Sequence, residues 1–112
     1  MKAATPSYNF SQDDILKNIV RQIVDIAHPD KIILFGSRAM GKQNTDSDYD
    51  ICVLKKNIKK RRFLIQKIYL KLDIMASVDV IVNTPTRYEE LKEKWYFVYH
   101  DIAKYGKVVY EK

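Results

Sequence analysis

Two aspartates, Asp48 and Asp50, are the residues of this sequence whose type and spacing most directly suggest chemistry. They stand two positions apart at the start of the apolar run DYDICVL, so in an extended strand both side chains point to the same face. Two carboxylates this close repel each other unless a cation lies between them, and hard oxygen ligands suit Mg²⁺. The spacing therefore predicts a metal site.

A glycine–serine pair lies upstream, where Gly36 and Ser37 follow the apolar run KIILF of residues 31–35. Gly36 lets the backbone turn sharply and approach a ligand closely, while Ser37 adds a hydroxyl and an amide where the next element begins. Such a turn can hold an anion. The structural alternative is that Gly36 and Gly41 are ordinary turn residues, and that Ser47 and the aspartates cap a loop. The combined pattern favours phosphate and metal chemistry over that alternative.

These residues form one pattern, which resembles the signature of the nucleotidyltransferase superfamily related to DNA polymerase beta. The pattern is Gly36-Ser37-x3-Gly41-x5-Ser47-Asp48-x-Asp50, and a hydrophobic residue, Phe35, precedes it. More narrowly, the chain is similar to minimal nucleotidyltransferases, the short form often paired with a separate helical HEPN protein in prokaryotic toxin–antitoxin modules. The resemblance implies an α+β fold in two layers, the nucleotidyltransferase fold, with a small mixed sheet flanked by helices.

A third carboxylate is expected from such a family, and Asp79 is the candidate. It lies within SVDVIV, residues 77–82, a predicted strand rich in β-branched residues where an acid is energetically out of place. An edge-strand position or a salt bridge to a lysine would be a structural explanation. Asp73 is the rival carboxylate, but it stands at a junction after a predicted helix, where an exposed acid needs no special reason.

The resemblance implies metal and catalytic roles for the three acids. Asp48 and Asp50 would bridge two Mg²⁺ ions around the α-phosphorus of a nucleoside triphosphate. Asp79 would complete the site of the metal that activates the acceptor hydroxyl, and is a candidate for taking its proton.

Nucleotide-binding roles follow from the same resemblance. Gly36, Ser37 and Ser47 would belong to the site for the phosphates of ATP or another nucleoside triphosphate. Arg38 and Lys42, both near the turn, are further candidates for neutralising the pyrophosphate, although either could equally be an ordinary surface charge.

Three functions are compatible with these residues. The first is Mg²⁺-dependent transfer of a nucleoside monophosphate, AMP from ATP, to a hydroxyl of a partner protein, with this chain acting as antitoxin to a HEPN ribonuclease toxin. The second is neutralisation of that toxin by binding alone. The third is modification of RNA. The shortness of the chain after residue 82 leads us to expect that another chain, in a hetero-oligomer or homo-oligomer, supplies most of the acceptor site.

Composition and charge set the context. The 112 residues predict one domain, residues 1–112, with residues 1–10 as an N-terminal extension. No run approaches the roughly 18 apolar residues of a membrane span, no secretory signal is recognisable, and we expect a cytoplasmic protein. The net charge is +6, and six basic residues crowd one segment, where they form a solvated face or a surface for nucleic acid or an acidic partner. This basic cluster consists of Lys55, Lys56, Lys59, Lys60, Arg61 and Arg62.

The elements that must position these residues follow from periodicity and capping patterns. We predict a helix from Ser11 to Ala27, strands at 31–35 and 48–54, a helix at 57–72, a strand at 77–82, a helix at 89–94 capped by Thr86, a helix at 95–105 and a strand at 107–111. The single cysteine, Cys52, is predicted to be buried. In the aromatic tail, residues 95–110, we expect most rings in the core and an exposed remainder at a protein interface.

Overall fold

One mixed sheet of four strands is the centre of the computed structural model, which describes residues 13–44 and 46–112. The strands are β1 (Lys31–Phe35), β2 (Tyr49–Leu54), β3 (Val78–Asn83) and β4 (Lys107–Glu111), in the order β3-β2-β1-β4. Strand β1 is antiparallel to both β2 and β4, whereas β2 and β3 run parallel. The α+β architecture predicted from the sequence is confirmed.

Four helices cover the two faces of this sheet. They are α1 (Asp14–Ala27), α2 (Arg61–Lys71), α3 (Pro85–Leu91) and α4 (Val98–Tyr105). Because side chains alternate along a strand, β2 sends Ile51 and Val53 into the core formed with α1 and α2, and sends Cys52 and Leu54 into a second core formed with α3 and α4. Both cores are continuous with the sheet, so the strands are held from both sides.

Helix α1 has a defined beginning and end. The Asp13 carboxylate accepts a hydrogen bond of 3.0 Å from the amide of Leu16, which caps the helix. His28 ends it in the left-handed conformation, with φ of 49°. His28 is therefore the boundary residue at the end of α1. The predicted cap Ser11 and the predicted extension over residues 1–10 lie outside the described residues.

Helices α2 and α3 begin at other residues than the sequence predicts, and α3 also ends earlier, at Leu91 instead of residue 94. Helix α2 begins at Arg61 and not near residue 57, because Asn57 adopts a left-handed φ of 61° that a helix cannot contain. The predicted Thr86 cap is wrong: Thr84 is the capping residue, and its hydroxyl accepts a hydrogen bond of 3.1 Å from the amide of Arg87. Pro85 then occupies the first helical turn, where its missing amide hydrogen is not needed.

The aromatic tail is more exposed than predicted. Trp95, Tyr96 and Phe97 precede α4 instead of continuing a helix, and Trp95 is 78% exposed. Tyr99 alone is fully packed in the core among the rings of the 95–99 segment. The expectation that most of these rings are buried is therefore wrong, because α4 is only eight residues long and covers a small area of the sheet.

Strand β3 lies at one edge of the sheet, paired with β2 only. The hydroxyl of Tyr69, on α2, accepts a hydrogen bond of 2.7 Å from the amide of Val80 in this strand.

The single cysteine, Cys52, is confirmed as a core residue, and burial raises the pKa of its thiol to about 12. Among the described residues, the helices are too short and too polar for any of them to cross a membrane.

Candidate active site

Three side chains lie in one row across the end of the sheet. The strand register pairs Phe35 of β1 with Asp50 of β2, and Asp50 with Asp79 of β3. Alternation places all three on the face that carries α3 and α4. The parallel pairing of β2 and β3 therefore brings together two acids that are 29 positions apart in the sequence.

The environment of Asp50 is unfavourable for a negative charge. Its side chain is partly buried, and this burial raises the pKa of its carboxyl group above the ordinary value. The charges of Asp79 and Asp48 raise it further. Both of these neighbours are exposed. Three acids are thus close enough to affect one another, and the innermost one has the least water around it.

Gly36 packs directly against Asp50. Its φ is 76°, a left-handed value that favours glycine, and a Cβ atom added to Gly36 would overlap the Oδ2 atom of Asp50. Strand β1 ends at Phe35, so the turn begins at the point where the chain passes the carboxylate. The glycine predicted from the motif is therefore required here for two reasons, the backbone conformation and the close approach.

The turn after Gly36 is closed by its own backbone. The amides of Ala39 and Met40 donate to the carbonyl oxygen of Gly36 at 3.1 and 3.3 Å, and the amide of Lys42 donates to that of Ser37 at 2.9 Å. Within residues 13–44 and 46–112, the amides of Ser37 and Arg38 have no hydrogen-bond partner. These two amides are therefore available to an anion beside Asp50.

Arg38 and Ser47 have structural contacts. The Arg38 guanidinium donates from Nε to the carbonyl oxygen of Ser47 at 3.0 Å and lies 3.9 Å from the ring centre of Tyr49. The Tyr49 hydroxyl in turn donates to the Asp13 carboxylate at 2.9 Å. Burial, followed by this hydrogen bond, raises the pKa of Tyr49 to about 12. The contacts fix the loop that leads to Asp48.

The Ser47 hydroxyl has its own partner in this loop. Its Oγ atom accepts a hydrogen bond of 2.9 Å from the amide of Asn44. Lys42 is exposed and directly follows the turn in the sequence. Of the predicted nucleotide-binding residues, Gly36 therefore lies against Asp50 and Ser37 follows it in the turn, whereas Arg38 and Ser47 hold the loop in place.

The acids have the chemistry of a hard-cation site. In the described part of the chain, no three His, Cys, Asp or Glu side chains converge as a complete set of ligands. Mg²⁺, however, is usually bound by one or two carboxylates together with substrate phosphates and water, so a complete set is not required. The repulsion that raises the pKa of Asp50 is also the repulsion that a cation would relieve. The residues present therefore fit a divalent metal.

A family comparison agrees with this geometry. The model of a family described as polymerase beta nucleotidyltransferases matches residues 15–112. The chain belongs to this nucleotidyltransferase family. The match covers all four strands and nearly all of α1, so the membership applies to the whole sheet and to the row of acids on it.

Solved structures are similar to the nucleotidyltransferase over most of its length. A putative nucleotidyltransferase from Sulfolobus solfataricus has 22% identity and a TM-score of 0.61, covering 88% of this chain and 79% of that one. A toxin–antitoxin crystallised with AMP-PNP has 25% identity and a TM-score of 0.54, covering 90% and 74%. A doubly substituted MntA–HpeT toxin–antitoxin has 23% identity and a TM-score of 0.51, covering 89% and 73%. The comparison with curated proteins yields no match.

The basic cluster of the nucleotidyltransferase lies away from the acids. Lys55 directly follows the last residue of β2, whereas Asp50 is near its first. Five residues at about 3.3 Å each separate the two by about 16 Å along the strand. Arg61, at the start of α2, is near the same end of the sheet, because its guanidinium donates to the carbonyl oxygen of Val82 at 3.4 Å. The cluster and the acids therefore occupy opposite ends of the strands.

The rival carboxylate of the nucleotidyltransferase is also outside the site. Asp73 lies in the connection after α2, where its amide donates a hydrogen bond of 2.8 Å to the Gln22 side chain of α1.

Tyr49 was not identified from the sequence as a site residue. The alternation in DYDICVL gives its position, since a residue between the two aspartates must face the opposite side of the sheet.

Proposed function

We propose that the protein is a Mg²⁺-dependent nucleotidyltransferase that transfers AMP from ATP to a hydroxyl group of a partner protein, and that it acts as the antitoxin to a HEPN toxin. The observation that carries the proposal is the pair of Asp50 and Asp79, side by side in the sheet and directly against the Gly36 turn. A module that only binds a partner has no physical need to keep these repelling acids together.

Asp48, Asp50 and Asp79 would hold the metal ions. When bound, Mg²⁺ neutralises charge on the phosphates and lowers the pKa of a coordinated hydroxyl. The free amides of Ser37 and Arg38 would hold the terminal phosphates and stabilise the departing pyrophosphate. The acids and the turn would thus contact opposite ends of one triphosphate.

Asp79 would receive the proton of the acceptor. The acceptor oxygen attacks the α-phosphorus, the bond from that phosphorus to the oxygen shared with the β-phosphate breaks, and pyrophosphate leaves. Asp79 is exposed, so an incoming hydroxyl can reach its carboxylate. Asp50 is half-buried between its neighbours and is better placed to bind than to exchange protons with a partner.

Similarity and surface chemistry support a protein partner. The toxin–antitoxin structure with AMP-PNP, 25% identical, pairs a related fold with an ATP analogue and a toxin. In the present chain, Trp95, Tyr96 and Phe97 form an exposed aromatic patch beside α4. Exposed aromatic side chains of this size are typical of protein interfaces. The patch is on the face of the sheet that carries the acids.

Neutralisation by binding alone is the second candidate, since the same aromatic patch favours it. RNA modification is less well supported, because the basic cluster that would dock RNA is at the far end of the strands from Asp50. Transfer of AMP requires the acids, whereas neutralisation by binding alone does not.

The test is a transfer assay with α-³²P-ATP, Mg²⁺ and the product of the adjacent gene, comparing the wild type with Asp79→Asn. We expect label on the partner with the wild type and its loss with the variant. The matched control is Asp73→Asn, the same change at an exposed acid outside the site, which should retain full labelling.

Complex formation is measured in parallel by size-exclusion chromatography. A stable complex that carries no label with the wild-type protein would contradict catalysis and support neutralisation by binding. Label on RNA and not on protein would instead support the third function.

A further inference from the structure

An open pocket of about 350 Å³ lies against Gly36. Its lining is Phe35, Gly36, Met40, Val98, Asp101 and Tyr105. The residues come from the end of β1, the turn and one side of α4. Of these residues, only Phe35 and Gly36 are named positions of the sequence motif.

The pocket is mostly apolar and has a single charged side chain. Met40, Val98 and Tyr105 are between 37% and 46% exposed, which leaves their apolar surfaces open to a ligand. Asp101 lies in the first turn of α4 and is also exposed. A flat ring with one polar edge matches such a lining, because its faces contact apolar side chains and its edge reaches the carboxylate.

The pocket is continuous with the row of acids. Gly36 forms its wall and also contacts Asp50, since a Cβ atom at Gly36 would overlap the Asp50 carboxylate. Phe35, another wall residue, is the register partner of Asp50. A nucleotide whose α-phosphate lies beside Asp50 therefore has this pocket next to it, within the reach of its ribose and base.

We infer that this pocket binds the adenine ring of ATP, and that Asp101 accepts a hydrogen bond from the exocyclic 6-amine. The inference rests on the proposed function and adds to it the position of the base. Phe35 and Tyr105 provide aromatic surface for the ring, and Met40 and Val98 provide aliphatic surface. A carboxylate can only accept hydrogen bonds, so it favours a base edge with an N–H donor over an edge with an acceptor alone.

An apolar side chain of the partner protein is the alternative occupant. Such a side chain would leave Asp101 without a hydrogen-bond donor and would bury its charge against apolar atoms, which is unfavourable. An amine-bearing base covers the same apolar walls and provides the donor. The charge on Asp101 therefore favours the base.

The experiment measures binding of ATP and of purine riboside triphosphate, which lacks only the 6-amine, to the wild type and to Asp101→Ala with Mg²⁺ by equilibrium dialysis. We expect the wild type to bind ATP about tenfold more tightly, because a hydrogen bond to a charged group contributes about 1.5 kcal/mol or more. In Asp101→Ala the two affinities should become equal, mainly through weaker binding of ATP.

Controls separate this inference from the proposed function. Asp73→Ala, the same truncation at a distant exposed acid, should retain the preference for ATP. A second variant, Tyr105→Ala, should weaken both ligands equally, since it removes ring contact and leaves Asp101 in place. Thermal unfolding followed by circular dichroism checks that each variant is folded.

Two outcomes would overturn the inference. If the wild type binds both triphosphates equally, or if Asp101→Ala keeps the preference, adenine does not contact Asp101 and the proposed transfer of AMP is unaffected. If the wild type binds neither triphosphate, the proposed function itself is wrong, and the position of the base falls with it.

Discussion

The two faces of the sheet are built from the same strands but serve different purposes. On the face toward α1 and α2, β2 places Tyr49, Ile51 and Val53, and all three are buried. On the opposite face the same strand places Asp50 first and Cys52 next. A step of one position along β2 therefore moves from the apolar core on one face to the acids on the other.

The comparison indicates how the domain can hold repelling acids in place. The strand that carries Asp50 is fixed by apolar contacts of its neighbours on the closed face, including Ile51 at 0% exposed. On the charged face, Cys52 and Leu54 pack in the core formed with α3 and α4, whereas Asp48 and Asp79 are exposed. The larger apolar core and the row of acids are thus separated by face of the sheet and not by region of the chain.

The largest expected effect is on transfer activity. The double variant Asp48→Asn with Asp50→Asn should lower the rate of labelling by about 10³-fold or more, because even groups that only support metal ligands contribute about 10–100-fold. The fold should remain, since neither side chain is part of the closed face. Labelling kinetics with the adjacent gene product measure the rate. A doubly substituted protein that labels normally would contradict the assignment of the charged face.

The closed face should respond in the opposite way. Ile51→Ala should lower the free energy of unfolding by about 2–5 kcal/mol, the usual range for a buried isoleucine truncated in a core. Labelling per folded molecule should change little. Urea unfolding and activity at low denaturant measure the two quantities. A large loss of activity without a loss of stability would show that the two faces are not separable.

The Gly36 turn follows β1 and lies against Asp50, so a change there should affect both stability and activity. Gly36→Ala should lower the free energy of unfolding by about 1–3 kcal/mol, because alanine is strained at a positive φ and its Cβ atom would overlap Asp50. The matched control is Gly41→Ala, since Gly41 has a similar φ of 72°. If both variants lose the same activity, contact with Asp50 is not what matters at Gly36.

The smallest expected effect is a gain in stability from removing a charge. The pKa of Asp50 is raised in the folded state, so the protonated side chain favours folding. This stabilisation is fully present below the ordinary Asp pKa of about 3.9 and is lost as the pH rises through the folded-state pKa. In EDTA, Asp50→Asn should therefore be more stable than the wild type at neutral pH.

The pH dependence distinguishes this effect from a general one. The advantage of Asp50→Asn should shrink as the pH falls through the raised folded-state pKa and should be absent below about 4, where Asp50 becomes neutral in both states. Urea unfolding at several pH values measures it, with Asp73→Asn as the variant that should show no such trend. A variant less stable than the wild type at neutral pH would mean that Asp50 makes stabilising contacts.

Much of this arrangement could be predicted from the sequence because the relevant patterns are local. The strand at 107–111 and the strand at 31–35 were predicted with the bounds that the structure has. Gly36 was predicted to permit a close approach, and the approach is to Asp50. The position of Asp79 beside Asp50 depended on a family resemblance, since periodicity does not specify which strands pair.

Features that depend on tertiary contacts were not predictable in the same way. Arg38 is separated from Ser47 by nine positions, and no linear pattern indicates that it lies on Tyr49. Thr86 fits the same capping pattern as Thr84, but Pro85 in the first helical turn is a local signal that favours Thr84 as the cap. The pocket lined by Asp101 joins residues more than 60 positions apart, so it becomes visible only after folding.

The hydrogen bond from the Val80 amide to the Tyr69 hydroxyl has a consequence for self-association. An outer strand with free amides invites another extended chain to add to the sheet, which is the usual route to fibrils. Tyr69 occupies one of these amides at the middle of β3, with the side chain of a neighbouring helix lying across the edge. At this position, the β3 edge therefore has no amide to offer to another extended chain.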